Sequence, residues 1–377
     1  MRALIPPAHI ASFEHDDWVS SVDLLSQTSA AGKWDRTLEA GHDRLLSGSY
    51  DGLLRVWNTS RELLATSVSA AEGGHSEPVK DVKFLSANRL VSASLDRTIR
   101  LWDYRGDSIT PTLELYGHTA AVNRLAVHAP SARILSASAD HSVGIFTSSK
   151  SSAPAAPSNL IPPPSSKRRK LSTPSSGKTV SQRGGLGSLT GHIAPVSDVI
   201  FKPDDATVAY SSSWDHSIKT WDLPTQTCVD TRTTSHALLS VAALPQVNLI
   251  AAGTTARHIT LVDPRAEATS IVAMTMRGHT NAVVSLTPSP DSGYVFASGS
   301  HDGSVRVWDV RNAKGGNAGS GDGGGMVGES VFVLDREDAG RKTVGGEGIK
   351  VFSTTWDKTW GIVSCGEDKK VQVNQAR

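Results

Sequence analysis

The chain has 377 residues, a formal net charge of +1, 20% charged and 38% hydrophobic residues. That length allows two ordinary domains or one large repetitive one, and so balanced a charge supplies no global field toward nucleic acid or membrane. No stretch reads as a signal peptide or a membrane span, and two cysteines, Cys228 and Cys365, form neither a disulfide framework nor a metal set, which points to a reducing compartment and two buried thiols.

In chain order, the first candidate element is HIASFEH, His9 to His15, a short strand ahead of WVSSVDLL. The phrase SGSYDGLLRVWN (Ser47–Asn58) follows and then recurs as SASLDRTIRLWD (Ser92–Asp103), SASADHSVGIFT (Ser136–Thr147), SSSWDHSIKTWD (Ser211–Asp222) and SGSHDGSVRVWD (Ser298–Asp309). Two degenerate copies, AGTTARHITLVD (Ala252–Asp263) and SCGEDKKVQVNQ (Ser364–Gln375), bring the total to seven. Gly-His pairs stand ahead of four of the phrases, with His75, His118, His192 and His279. The alternating segments read as short strands, and the Asp-Gly or Asp-Arg pair between the second and third strands reads as a tight turn.

This is the WD-repeat signature, at the period of about 40–45 residues of a four-stranded propeller blade. It implies an all-β, seven-bladed WD-repeat β-propeller occupying residues 1–377 as one domain. The last copy ends at the chain terminus without a fourth strand, so the N-terminal segment His9–His15 is read as that strand, closing the last blade and hiding the ring's edges. The resemblance also implies structural tetrads in which Asp accepts from His, His faces a strand Ser, and that Ser meets the Trp indole. They are His75, Ser92, Asp96 and Trp102; His118, Ser136 and Asp140, with Phe146 in place of Trp; His192, Ser211, Asp215 and Trp221; and His279, Ser298, Asp302 and Trp308. A His-Asp-Ser set also fits a hydrolase, but a catalytic set is single, whereas this one repeats inside the blade walls. No catalytic, cofactor or metal residue is assigned.

Between blades three and four, residues 147–188 are rich in Ser, Pro, Gly and Lys and read as a disordered basic insertion. Within it Lys167, Arg168, Arg169 and Lys170 read as a nuclear-import signal. Residues 311–330 read as a Gly-rich flexible insertion, and DREDAGRKTVGGEG, ahead of blade seven, as a third.

Taken together, SSSWDHSIKTWD, TARHITLVDPR, the opening WVSSV with LLSGSYDGLLRVWN, and the basic insertion before SLTGHIAPVSDV resemble the WD-repeat member of the PeBoW complex (Pescadillo, Bop, WD-repeat protein), the YTM-one family of fungi. The resemblance implies a non-enzymatic assembly factor for the large (60S) ribosomal subunit and pre-rRNA processing. It would reside in the nucleolus and nucleoplasm and bind the propeller of a Bop-type protein, a Pescadillo-type protein indirectly, and the pre-60S particle, with no membrane partner. Family members begin with a ubiquitin-like domain that engages an AAA-type remodelling ATPase. This chain starts at MRALIPPAHI and is read as lacking that domain, so the remodeller contact passes to no residue here. A generic nuclear WD-repeat adaptor, reading peptides or serving a ubiquitin ligase, stays open as the alternative.

Partner candidates follow from the repeat. Positions at the turns and beside the first-strand Val are mostly small or polar, but Trp18, Tyr50, Trp214 and Phe352 are large, and together they suggest an aromatic patch. Lys80 and Lys350, with Arg97 and Lys219, add local charge for an acidic partner and leave a contact with rRNA open.

Overall fold

The structure, a computed structural model, describes residues 7–25, 43–161, 180–266, 272–315, 326–336 and 349–376. The basic run Lys167, Arg168, Arg169 and Lys170 lies outside the described residues.

The described chain folds as seven four-stranded antiparallel blades. Each blade runs from an inner strand through two middle strands to an outer one. Blade one is Val19–Leu25, Arg44–Ser49, Leu54–Asn58 and Leu63–Ser67. Blade two is Val79–Ser86, Arg89–Ser94, Ile99–Arg105 and Ser108–Tyr116, and blade three is Val122–His128, Arg133–Ser138, Ser142–Thr147 and Gly187–Thr190. Blade four is Val196–Lys202, Asp205–Ser213, Ser217–Asp222 and Thr227–Thr233, and blade five is Leu238–Leu244, Leu249–Thr254, His258–Val262 and Val272–Arg277. Blade six is Val283–Pro288, Val295–Ser300, Ser304–Asp309 and Met326–Asp335. Blade seven is Val351–Asp357, Gly361–Gly366 and Lys370–Ala376, closed by the N-terminal strand Pro7–Glu14, which pairs antiparallel with Lys370–Ala376.

The repeated phrase folds this way for local reasons. In SASLDRT the carbonyl of Ser94 accepts from Arg97 N, and Asp96 Oδ1 accepts from both Thr98 N and its hydroxyl. The residue after each turn aspartate takes a positive φ: Gly52 and Gly303 at 81° and 83°, but also Arg97, His141 and His216 at 70°, 72° and 68°. This is a three-residue hairpin loop ending in the left-handed region. The middle of each Ser-x-Ser is small because the next blade presses on it. A Cβ added to Gly48 would stand 2.7 Å from Val82 Cγ1 and 2.8 Å from Val79 Cγ1. Apolar side chains of adjacent blades share each core, as where Leu46, Leu54 and Val56 of blade one meet Val79, Val82 and Trp102 of blade two.

Every inner strand carries a register shift at its second residue, namely Ser20, Lys80, Asn123, Ser197, Leu239, Val284 and Phe352. A bulge re-aims a side chain, and three of these reach the next blade: Ser20 Oγ donates to Val79 O, Asn123 Nδ2 to Val196 O and Ser197 Oγ to Leu238 O, at 2.6, 2.8 and 2.8 Å. Arg124 spans the central channel, donating from blade three to Phe352 O of blade seven at 2.9 Å. A cavity of about 490 Å³ surrounds it, lined in part by Asp81, Lys83, Asp198 and Thr354. Burial pushes the Asp198 carboxyl up to about 6 there, against the nearby Arg124 cation.

Both insertion boundaries need correction. At the edges of 147–188, Ser181–Gly184 pairs in parallel with Leu113–Tyr116, Ala155 bridges to Arg183, and Gly187–Thr190 is blade three's outer strand. In 311–330, Lys314–Gly315 pairs with Met326–Val327, and Met326 opens blade six's outer strand, whose first residues also run parallel to Met274–Arg277 of blade five. Unpaired backbone at a blade's outer edge recruits any neighbouring segment whatever its side chains, so composition hides these strands. The thiols also differ from expectation: Cys365 is buried, with burial pushing its pKa up to about 12, but Cys228 is exposed on the rim of blade four.

Candidate functional site

The four sets of His, Ser and Asp are each joined within their blade. His75 Nδ1 lies 2.8 Å from Asp96 Oδ2, and its Nε2 lies 2.7 Å from Ser92 Oγ, which accepts from Trp102 Nε1 at 2.8 Å. The same chain runs through Asp215, His192, Ser211 and Trp221 at 2.7, 2.8 and 2.8 Å, and through Asp302, His279, Ser298 and Trp308 at 2.8, 2.7 and 2.8 Å. In blade three it stops at Ser136, because Phe146 has no N–H to give; His118 still reaches Asp140 at 2.9 Å and Ser136 at 2.7 Å. The serine accepts from the indole in blades two, four and six, and the carboxylate, which can only accept, takes the Nδ1–H. A buried network of this kind holds only when every member is satisfied. The serine hydroxyls are fully buried and cannot act as nucleophiles on a substrate.

Sequence reasoning missed two further sets. In blade one, His15 Nε2 lies 2.8 Å from Ser47 Oγ, which accepts from Trp57 Nε1 at 3.0 Å. Asp51 pairs instead with Arg55 at 2.8 Å. In blade seven the cation is an arginine. Arg336 meets Asp368 through Nε and Nη2 at 2.7 and 2.8 Å, donates from Nη1 to Ser364 Oγ at 3.1 Å, and from Nη2 to Lys370 O at 2.7 Å. A signal existed. Blades one and seven keep the tetrad Ser and Asp but lack a Gly-His at the usual spacing, so the buried Ser47 with Trp57 in blade one and the buried Asp368 side chain in blade seven each call for a partner from elsewhere. Blade five shows the converse: Thr234, Ala252, Ala256 and Val262 stand at the four positions, so the network is dropped as a whole.

Removing one member tests the network. Asp215 accepts from His192, from Ile193 N at 3.1 Å, and from Ser217 N and Oγ at 2.9 and 2.6 Å, but does not touch Trp221. Asp215→Ala leaves those donors unpaired and should cost about 1–3 kcal/mol in chemical denaturation. A wild-type melt would contradict the network's structural weight.

Titration gives a second test. Burial lowers the pKa of His75, His192 and His279 despite the aspartate hydrogen bonds, and burial with the Arg55 charge lowers His15 to about 4. Burial alone would raise Asp96, Asp140 and Asp302, but their His partners hold them below the usual carboxylate range. Both groups have depressed folded values, so their stabilisation is present above the unfolded pKa and lost as pH falls. The melting temperature should be flat above the ordinary histidine value of 6.5, fall between there and about 4, and fall further below the ordinary aspartate value of 3.8. A melt independent of pH from neutrality to about 4 would contradict it.

On the face bearing the aspartate turns, three of the four candidate aromatics come together. Ring centroids are 5.5 Å apart for Trp18 and Tyr50, 6.1 Å for Trp18 and Phe352, and 6.0 Å for Tyr50 and Phe352. Phe352 sits at blade seven's bulge and also meets His301 of blade six at 6.0 Å. Lys80, at blade two's bulge, holds its ammonium 5.5 Å from the Tyr50 centroid. Trp18 is 38% exposed. Trp214 departs from the expected patch. It lies on blade four, away from blades seven, one and two, and among the described residues it touches none of the three rings; it is 54% exposed, beside Ile193 at 83%. The residue before each turn aspartate points to the same face, but the ring places blade four far from blade one. Lys350 lies two residues ahead of Phe352, while Lys219 turns to Thr231 on its own blade's outer strand at 2.9 Å.

The closed ring of four-stranded blades with these internal sets defines a WD-repeat β-propeller. The WD40 family (WD domain, G-beta repeat) matches residues 8–58, 67–103, 109–147, 185–222 and 271–309, leaving out the first three strands of blade five and blade seven's own three strands, where the tetrad is lost or altered. The chain is 58% identical over 391 residues to the ribosome biogenesis protein ytm1 of Aspergillus clavatus, covering 100% of this chain and 78% of that relative. It is 59% identical to its counterpart in Aspergillus oryzae and 56% identical to that of Emericella nidulans, covering 78% and 79% of those proteins. The chain belongs to this ytm1 family of ribosome biogenesis proteins.

Proposed function

We propose that this propeller is a non-catalytic assembly factor in biogenesis of the large ribosomal subunit, docking a Bop-type propeller protein and through it a Pescadillo-type protein and the pre-ribosomal particle. The observation that supports docking is the Trp18–Tyr50–Phe352 cluster, with Trp18 exposed and Tyr50 and Phe352 half-buried, on a propeller of the ytm1 family. Aromatic side chains dominate interface hot spots, and a propeller with no partner gains nothing from leaving them at the mouth. A scaffold also fits the buried His–Ser pairs, which reach no solvent. The test is co-elution: the folded chain and a purified Bop-type propeller should leave a sizing column as one complex, and separate elution at micromolar concentrations would overturn the reading.

The proposed residence is the nucleolus and nucleoplasm. Replacing Lys167, Arg168, Arg169 and Lys170 with alanine should shift a tagged chain toward the cytoplasm with an unchanged melt. Undiminished nucleolar signal would contradict an import role for the run.

A further inference from the structure

At the third position of the seven inner strands stand four serines, two aspartates and one arginine, Arg124. Arg124, Asp81 and Asp198 line the central cavity, where the Arg124 side chain is 18% exposed. A buried cation is ordinarily explained by the carboxylates beside it. Here those acids already have other donors. Asp81 accepts from Ser21 Oγ, from Val82 N at 3.0 Å and from Leu125 N at 2.8 Å, and Asp198 accepts from Val199 N at 2.8 Å and Val241 N at 2.9 Å. The Arg124 guanidinium stands 3.8 Å from Asp81. Its hydrogen bonds go across the channel to main chain instead: Nη2 donates to Phe352 O at 2.9 Å and to Val284 O at 3.4 Å. Both carbonyls belong to bulge residues, the second residues of the inner strands of blades seven and six.

We propose that Arg124 is a positioning residue of the aromatic surface: from blade three its guanidinium ties the bulges of blades six and seven, and so sets the Phe352 ring against Trp18 and Tyr50. The inference rests on the reading of that cluster as a docking surface and adds what holds it in shape. A bulge re-aims the side chain it carries, so the Phe352 backbone is the joint between channel and face. Its carbonyl takes Arg124, while its ring centroid stands 6.1 Å from that of Trp18 and 6.0 Å from that of Tyr50. Nη2 carries two hydrogens, one for each bulge carbonyl, and bonds from a charged donor are stronger than neutral ones. Charge and tie can be separated. Arg124→Lys keeps a cation beside Asp81 but replaces the planar fork with a point donor on a different stem. Arg124→Met removes both.

Fluorine NMR of the full chain carrying para-fluorophenylalanine reads the ring directly and needs no partner, with the Phe352 resonance assigned by its loss in Phe352→Leu. Both Arg124 variants should shift or broaden that resonance. Arg124→Lys should keep most of the wild-type melting temperature, whereas Arg124→Met should lower it, so the lysine variant decides the matter if the methionine one does not fold. Lys83→Met is the control: it breaks the ion pair with Asp23 in the same cavity and should leave the Phe352 resonance in place. Affinity for a purified Bop-type propeller should fall about fivefold or more in both Arg124 variants, since a displaced anchor loses less than a truncated one. A Phe352 resonance unmoved in Arg124→Lys, or moved as far in Lys83→Met, would overturn the tie. Full affinity in a variant whose Phe352 resonance has moved would overturn its part in docking. If the wild-type chain binds no Bop-type propeller while the resonance moves in the Arg124 variants alone, the docking reading fails and the tie stands.

Discussion

Arg336→Ala should destabilise the propeller by about 3–5 kcal/mol, more than any single tetrad change. The side chains of Arg336 and Asp368 are each 2% exposed, and the guanidinium satisfies both carboxylate oxygens, the Ser364 hydroxyl and the Lys370 carbonyl at once. Truncating it strands a buried carboxylate, whose desolvation is then uncompensated. Arg336→Lys keeps the charge but replaces a planar fork with a point donor, so it should recover only part of the loss. Arg336→Ala with Asp368→Ala should lie closer to wild type than Arg336→Ala alone, because no unpaired charge remains. Denaturant midpoints measure all three, and hydrogen exchange should place the weakening in blade seven. A loss under about 0.5 kcal/mol for Arg336→Ala, the range of an ordinary surface change, would contradict the role.

That residue also shows where the sequence stops being readable. The seven phrases carry turn, strand and core chemistry locally, so blade number, tetrad membership in blades two, three, four and six, and the N-terminal closing strand were all legible. Arg336 was not, because it lies in DREDAGRK, a stretch whose composition reads as flexible, and its partners stand 28 and 32 residues downstream. His15 was hidden similarly, 32 residues from Ser47. The strand Ser181–Gly184 forms on backbone pairing with a neighbouring edge, for which its Ser-, Gln- and Gly-containing sequence carries no side-chain signal, whereas Met326–Asp335 does carry a Val-Phe-Val-Leu run, masked only at its start by the Gly-rich stretch before it. At the candidate surface, the repeat showed which residues sit at turns and beside first-strand valines. It did not show that Phe352 and Lys80 occupy bulges that turn them toward blade one, or that Trp214 lies on a blade remote from them.

The second large effect is on binding. Trp18 and Phe352 contribute two of the three rings yet come from blades one and seven, and their truncation removes no buried hydrogen bond of the side chain. Trp18→Ala with Phe352→Ala should therefore keep the fold while removing the anchor surface. An aromatic hot spot is worth about 2 kcal/mol or more on truncation, so affinity for the Bop-type propeller should fall by roughly thirtyfold or more. Trp214→Ala, on blade four, should change it by under about threefold if the partner seats on the blade seven to blade two side.

The most direct measurement is an isothermal titration of the purified Bop-type propeller into the wild-type chain and into Trp18→Ala with Phe352→Ala, with matched thermal melts. The aromatic mouth as docking surface predicts a saturable complex for wild type and a loss of roughly thirtyfold or more for the variant. Equal affinity in both, or no heat from the folded wild type, would contradict it.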